Sequence, residues 1–130
     1  MIRRILRQFS AYWRVFFRAQ FWRNRLNLGL LGSGLFFNLL TWIILARFIK
    51  PSEYPIPLHY NIYFGIDLIG PYSRVFSLPL ISLFILVMNF ILAFWFYPKD
   101  RLVAYILLLA AAVTQIFVLI GAVSLIYINR

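Results

Sequence analysis

The chain has 130 residues, is 64% hydrophobic and 20% aromatic, and has a mean hydropathy of +0.87. Charged residues make up only 12%, about half the share of a typical soluble domain, and a small globular fold cannot hide this much apolar surface from water. The net charge is +10, but its concentration in one short segment suits anionic lipid better than nucleic acid; the absence of cysteine excludes disulfides and thiolate chemistry, and a single histidine excludes a multi-histidine metal site within one chain.

Residues 1–27 read as a basic amphipathic segment. Arg3, Arg4, Arg7, Arg14, Arg18, Arg23 and Arg25 lie here with no acid among them. On a helical wheel, Arg3, Arg4, Arg7, Arg14, Arg18 and Arg25 fall within an arc of roughly 100°. Ile2, Ile5, Phe9, Trp13 and Phe16 cluster opposite. This pattern predicts a helix lying in the membrane interface, with the six arginines toward the anionic headgroups of the inner leaflet. The pattern fails after about Gln20, and Asn24 and Asn27 suit a turn into the next element. An Arg-rich, acid-free start also fits a mitochondrial transit peptide, which keeps the mitochondrial inner membrane open as an alternative location.

Residues 28–130 read as a transmembrane domain. Three stretches reach the ~20 apolar residues that a bilayer core requires: 28–49, 76–97 and 102–128. The first span carries Gly34, Asn38 and Thr41 at helical spacing. An ordered outer loop, 50–75, follows it. Prolines 51, 55, 57 and 71 and Gly65 and Gly70 should break regular structure there, while Tyr54, Tyr60, Tyr63, Phe64 and Tyr72 make it too apolar for a floppy linker.

Within this loop, Ile56-Pro57-Leu58-His59-Tyr60-Asn61, followed by Gly65, Asp67 and Gly70, resembles the signature of a bacterial membrane-protein family of unknown function. That signature is P-x-H-aromatic-N, then Gly, Asp and Gly, just after a first transmembrane helix; the domain also occurs in the immunity protein against the sporulation-delay toxin. Pro57, His59, Asn61, Asp67 and Gly70 match in type and spacing, and Gly65 falls one residue later. The resemblance covers about residues 28–97 and implies a protein of the bacterial cytoplasmic membrane. From the residues alone, His59, Asp67 and Glu53 form a conceivable zinc set, but their spacing matches no metal motif. A hydrogen-bonded clasp of His59 or Asn61 to Asp67 is the preferred reading.

The second span carries Ser82, Asn89 and Ala93 on one stripe, and Pro98–Lys99–Asp100–Arg101 turns the chain tightly into the third. There Ala104, Ala111, Gln115 and Ala122 form one stripe, flanked by Ala110, Thr114, Gly121 and Ser124. Tyr105, Leu108, Leu109, Ile116, Leu119, Val123 and Ile126 form the expected lipid-facing side. An unpaired amide is costly in hydrocarbon, so Asn38, Asn89 and Gln115 are expected to bond across helices near mid-membrane. With the N-terminus inside, inner segments carry nine Lys and Arg and outer segments four (Arg47, Lys50, Arg74 and Arg130), which predicts N-in, C-out topology.

The expected fold is therefore all-α and integral to the membrane: an N-terminal interfacial helix and three transmembrane helices, the last two a tight hairpin. No catalytic, cofactor or metal site is expected, nor a specific nucleic-acid partner. Homo- or hetero-oligomeric association with other membrane proteins is. The leading functional expectation is an accessory or structural subunit of a membrane assembly. The alternatives are a sensor or immunity-type protein binding a peptide or lipid through the outer loop, and a transporter or channel component.

Overall fold

The computed structural model describes residues 20–130. Five of the six arginines assigned to the interfacial face, Arg3, Arg4, Arg7, Arg14 and Arg18, lie outside the described residues. Arg25 is exposed in the first turn of a long helix.

A short helix α1 (Gln20–Arg23) leads into α2 (Arg25–Phe48). A two-stranded sheet follows, β1 (Ile56–Asn61) and β2 (Gly65–Gly70), then a 3-10 turn (Tyr72–Phe76) running directly into α3 (Ser77–Phe96), and finally α4 (Arg101–Ile128). Three helical segments, Arg25–Phe48, Tyr72–Phe96 and Arg101–Ile128, are long and apolar enough to cross a membrane. The fold is mostly helical, but the sheet corrects the all-α expectation.

The helix starts follow from capping chemistry. Asn24 sits before α2 with its side-chain oxygen accepting from the amides of Leu26 (2.8 Å) and Asn27 (3.4 Å). Asp100 does the same for α4 through Leu102 (2.9 Å) and Val103 (3.3 Å). Each oxygen satisfies amides that lack a partner within the helix. Pro79 is tolerated in α3 because it lies in the first turn, where no intrahelical N–H bond is lost. α4 has 28 residues, or about 42 Å at 1.5 Å per residue, well beyond the ~30 Å hydrocarbon core. Its surplus turns meet the sheet.

α4 is the central helix, packed along both α2 and α3. Its buried arc is therefore wider than one stripe. Ala104, Ala111, Gln115 and Ala122 are fully buried as their spacing predicted, but Leu108 (1% exposed) and Ile126 (8%) also turn inward, contrary to their expected place toward lipid. The interior has three layers. At the end bearing Asn24, Phe21 packs edge-on against Phe90, Phe94 and Tyr97 over Ala93, Ala104 and Leu108. At the opposite end, Leu45, Ile49, Val75, Ala122, Leu125 and Ile126 form an aliphatic cluster under the sheet.

Between them lies a polar layer. Asn38 Nδ2 donates to Gln115 Oε1 (3.0 Å), Ser82 Oγ (3.0 Å) and the Pro79 carbonyl (2.9 Å). Gln115 Nε2 donates to the Ser82 carbonyl at 2.8 Å. One side chain from each helix is thus engaged, and all three are buried. The expected trio is corrected in one member: Asn89 is only half-buried and donates to Ile85 O of its own helix at 2.9 Å. Height explains the exchange. Asn38 and Gln115 stand 13 and 14 residues from the starts of α2 and α4, and Ser82 stands 14 from the end of α3. Asn89 lies seven residues nearer that end, about 10 Å from the level of the others.

At the Asn24 end a second carboxamide joins the helices. Asn24 Nδ2 donates to the hydroxyls of Tyr97 (3.0 Å) and Tyr105 (2.8 Å). Tyr97 is itself buried in the bundle.

Candidate functional site at the hairpin end

The loop 50–75 contains the most exposed apolar surface outside the helices, and it is built rather than irregular. β1 and β2 pair antiparallel, from Ile56 opposite Gly70 to Asn61 opposite Gly65, with the register slipping on either side of His59. Prolines were expected to prevent this. A two-stranded sheet is all edge, however, so the missing N–H of Pro57 can face away from the ladder. Three residues, Ile62–Phe64, connect the strands. Asn61 Oδ1 accepts from the Tyr63 amide at 2.9 Å, and Gly65 closes the turn at φ 73°, a conformation that a side chain would strain.

The motif residues divide by role. His59 Nδ1 and Asp67 Oδ1 meet across the strands at 2.6 Å, an ion pair whenever the imidazole is protonated. Asn61 shapes the turn and does not join them. Pro57 offers its carbonyl to Asn129 Nδ2 at 2.8 Å, and the same amide donates to Leu125 O at 2.9 Å, tying β1 to the end of α4. Gly70 is buried; a Cβ there would come within 2.7 Å of Leu58 Cδ1, so its lack of a side chain lets Leu58 pack down onto the aliphatic cluster. Glu53 does not join His59 and Asp67: among the described residues no group of three His, Asp or Glu side chains is placed to hold a metal ion.

The base of the hairpin is thus fastened and its tip is bare. Ile62, Tyr63 and Phe64 are 82%, 87% and 82% exposed. Between β1 and α4 lies an open groove of ≈ 910 Å³, lined by Leu58, His59 and Tyr60 on one side and by Gly121, Ser124 and Tyr127 on the other. Gly121 and Ser124, which sequence reasoning placed on a secondary small-residue stripe, form part of this groove.

Sequence reasoning did not single out Asn129, which docks the hairpin, and read Asn24, which caps α2 and joins three helices, only as a turn residue. The second carried a readable signal, since an Asn just before a long apolar run is a strong helix-capping candidate. The first did not, because its partner carbonyl belongs to a distant strand. Comparison with protein-family models, curated proteins and solved structures finds no match to this chain.

Proposed function

We propose that this protein is a small non-catalytic accessory subunit of a membrane assembly, and that it engages its partner through the aromatic tip of the hairpin. The observation that carries this reading is the pairing of a bare tip, Ile62-Tyr63-Phe64, with a base held by Asn129 and by the packing of Leu58. Fully burying one large apolar side chain is worth about 1.5–3 kcal/mol, and a rigid mount reduces the ordering cost of docking. Exposed apolar patches of this kind mark interaction surfaces. The only histidine is engaged by Asp67 on an exposed strand, while the hydroxyls of Ser82 and Thr41 are buried in the bundle, which supports a role without catalysis.

In this reading the chain sits in a bacterial cytoplasmic membrane, with the basic segment on the anionic inner leaflet and the hairpin outside. The Lys and Arg distribution supports that orientation; the mitochondrial inner membrane is the alternative. Reporter fusions active only outside should be active at Arg130 and silent at Lys99. A sensor or immunity-type role is the second reading, supported by the groove beside β1 and by the loop motif. Conduction through a single chain is the least supported, because Asn38, Ser82 and Gln115 bond one another at mid-bundle.

The deciding experiment places a photo-reactive side chain at Tyr63 and, as a control, at Leu39 on the exposed flank of α2. In intact membranes Tyr63 should give a discrete protein adduct and Leu39 chiefly lipid adducts. Lipid adducts alone at both positions would place the tip in the bilayer and end the subunit reading.

A further inference from the structure

We infer that the groove between β1 and α4 holds the acyl chain of a membrane lipid from the leaflet on the hairpin side. The polar layer gives a ruler for its depth, because Asn38, Ser82 and Gln115 bond one another and so share one level. Arg47 stands nine residues beyond Asn38 on α2, about 14 Å at 1.5 Å per residue. Arg74 precedes Ser82 by eight residues, three of them in the 3-10 turn, which again gives about 14 Å. Half of a ~30 Å hydrocarbon core is about 15 Å, so in a bilayer crossed by the three helices these two exposed arginines mark its boundary. On α4 the same level falls nine residues beyond Gln115, at Ser124.

The groove runs along α4 from Gly121 to Ile128 and therefore straddles that boundary. Its lower end, at Leu78 and Gly121, opens among acyl chains. Its upper end, at Ile128, is about 20 Å from the polar layer. Apolar walls at the lower end are ordinary for a membrane protein. Above the boundary the neighbours are headgroups and water, and Leu58, Leu125 and Ile128 still line the groove there. An acyl chain lying along it would take this surface out of water while its lower part stayed in the hydrocarbon. Tyr60 and Tyr127 in the walls are the residue type that joins an apolar surface to a polar layer.

The walls are held apart. Asn129 Nδ2 binds Pro57 O at 2.8 Å and Leu125 O at 2.9 Å, which fixes β1 against α4. A Cβ at Gly121 would meet nothing within 4 Å, so no part of this chain fills the recess. Water is the poorer occupant, since it needs two to four polar partners. Ser124 Oγ is already bonded to Ile120 O at 3.1 Å, and His59 Nδ1 to Asp67. This site does not depend on what the hairpin tip engages.

The test washes the full chain into a neutral maltoside detergent and supplies an equimolar phosphatidylcholine carrying a diazirine in one acyl chain. Adducts are expected in peptides covering 58–60 and 121–128, well above those around Leu39 on the exposed flank of α2. Unlabelled phosphatidylcholine should compete; glycerophosphocholine, the same headgroup without chains, should not. Gly121→Leu removes a poor helix former and grows from open space, so the fold is kept. It should weaken the groove adducts about tenfold, the equivalent of excluding roughly two methylenes. Gly32→Leu, also in open space but on exposed α2 surface, should leave them unchanged. In intact membranes a photo-reactive side chain at Tyr60 should join a phospholipid. Four outcomes overturn the inference: adducts spread evenly over groove and flank, full labelling in Gly121→Leu, displacement by glycerophosphocholine, or a second copy or another protein joined at Tyr60.

Discussion

The polar layer inside the bundle and the His59–Asp67 pair on the hairpin both join side chains from different elements, yet they sit in opposite surroundings. Asn38 and Gln115 are 4% and 0% exposed; the His59 and Asp67 side chains are 62% and 36% exposed. Water competes for the second pair and not for the first. Interhelical bonds in membranes average about 0.6 kcal/mol and reach about 1.7, whereas exposed ion pairs contribute about 0–1. The bundle's bonds come as a connected set, so they fix one arrangement of three helices. The hairpin depends instead on packing at its base and on Asn129. Stability is concentrated in the spans, and the exposed tip is free to bind.

The largest effect expected from this contrast is at Gly34. A Cβ there would come within 2.8 Å of Leu86 Cδ1 and 3.8 Å of the Ala112 backbone. Alanine needs only a shift of the Leu86 methyl, but Gly34→Leu forces the helices apart, and overpacking costs about 1–3 kcal/mol. Thermal unfolding in detergent should show the leucine variant well below the alanine variant. Equal midpoints would mean that the α2 crossing is loose and the bundle no firmer than the hairpin.

Next comes Asn38→Leu, which removes three bonds and should cost about 1–3 kcal/mol at the per-bond range above. Paired with Gln115→Leu it should be non-additive by at least ~0.5 kcal/mol, while paired with Asn89→Leu it should be additive within about 0.5. Coupling to Asn89 instead would restore the trio expected from the sequence and displace Ser82 from the layer.

Asn129→Ala separates the two regions. It removes the link from α4 to β1, a loss of about 1 kcal/mol. Hydrogen exchange should accelerate across 56–70 and leave the mid-bundle unchanged. Uniform acceleration would show that hairpin and bundle open as one unit.

The smallest effect belongs to His59→Ala, expected below ~1 kcal/mol, with no shift in the melting of the spans. A loss greater than that of Asn38→Leu would reverse the comparison.

The hairpin was partly legible before folding. Ile, Leu and Tyr flank a short connection bounded by Asn61 and Gly65, which is a hairpin signal. The prolines outweighed it only because a strand was assumed to need every donor. In the spans, spacing identified Gly34, Asn38 and Thr41 as one buried face, since helical periodicity alone decides which residues share a side.

By itself, the sequence determined the three spans, the tight turn at Pro98–Arg101, the buried stripes and the polar groups that had to be paired. These follow from local quantities: apolar run length, residue spacing, and the cost of an amide in hydrocarbon. Only the tertiary structure decided that Ser82 rather than Asn89 completes the layer, that Leu108 and Ile126 turn inward, and that Asn129 anchors β1. Each depends on the relative height and rotation of helices far apart in the chain, which periodicity within one helix does not contain.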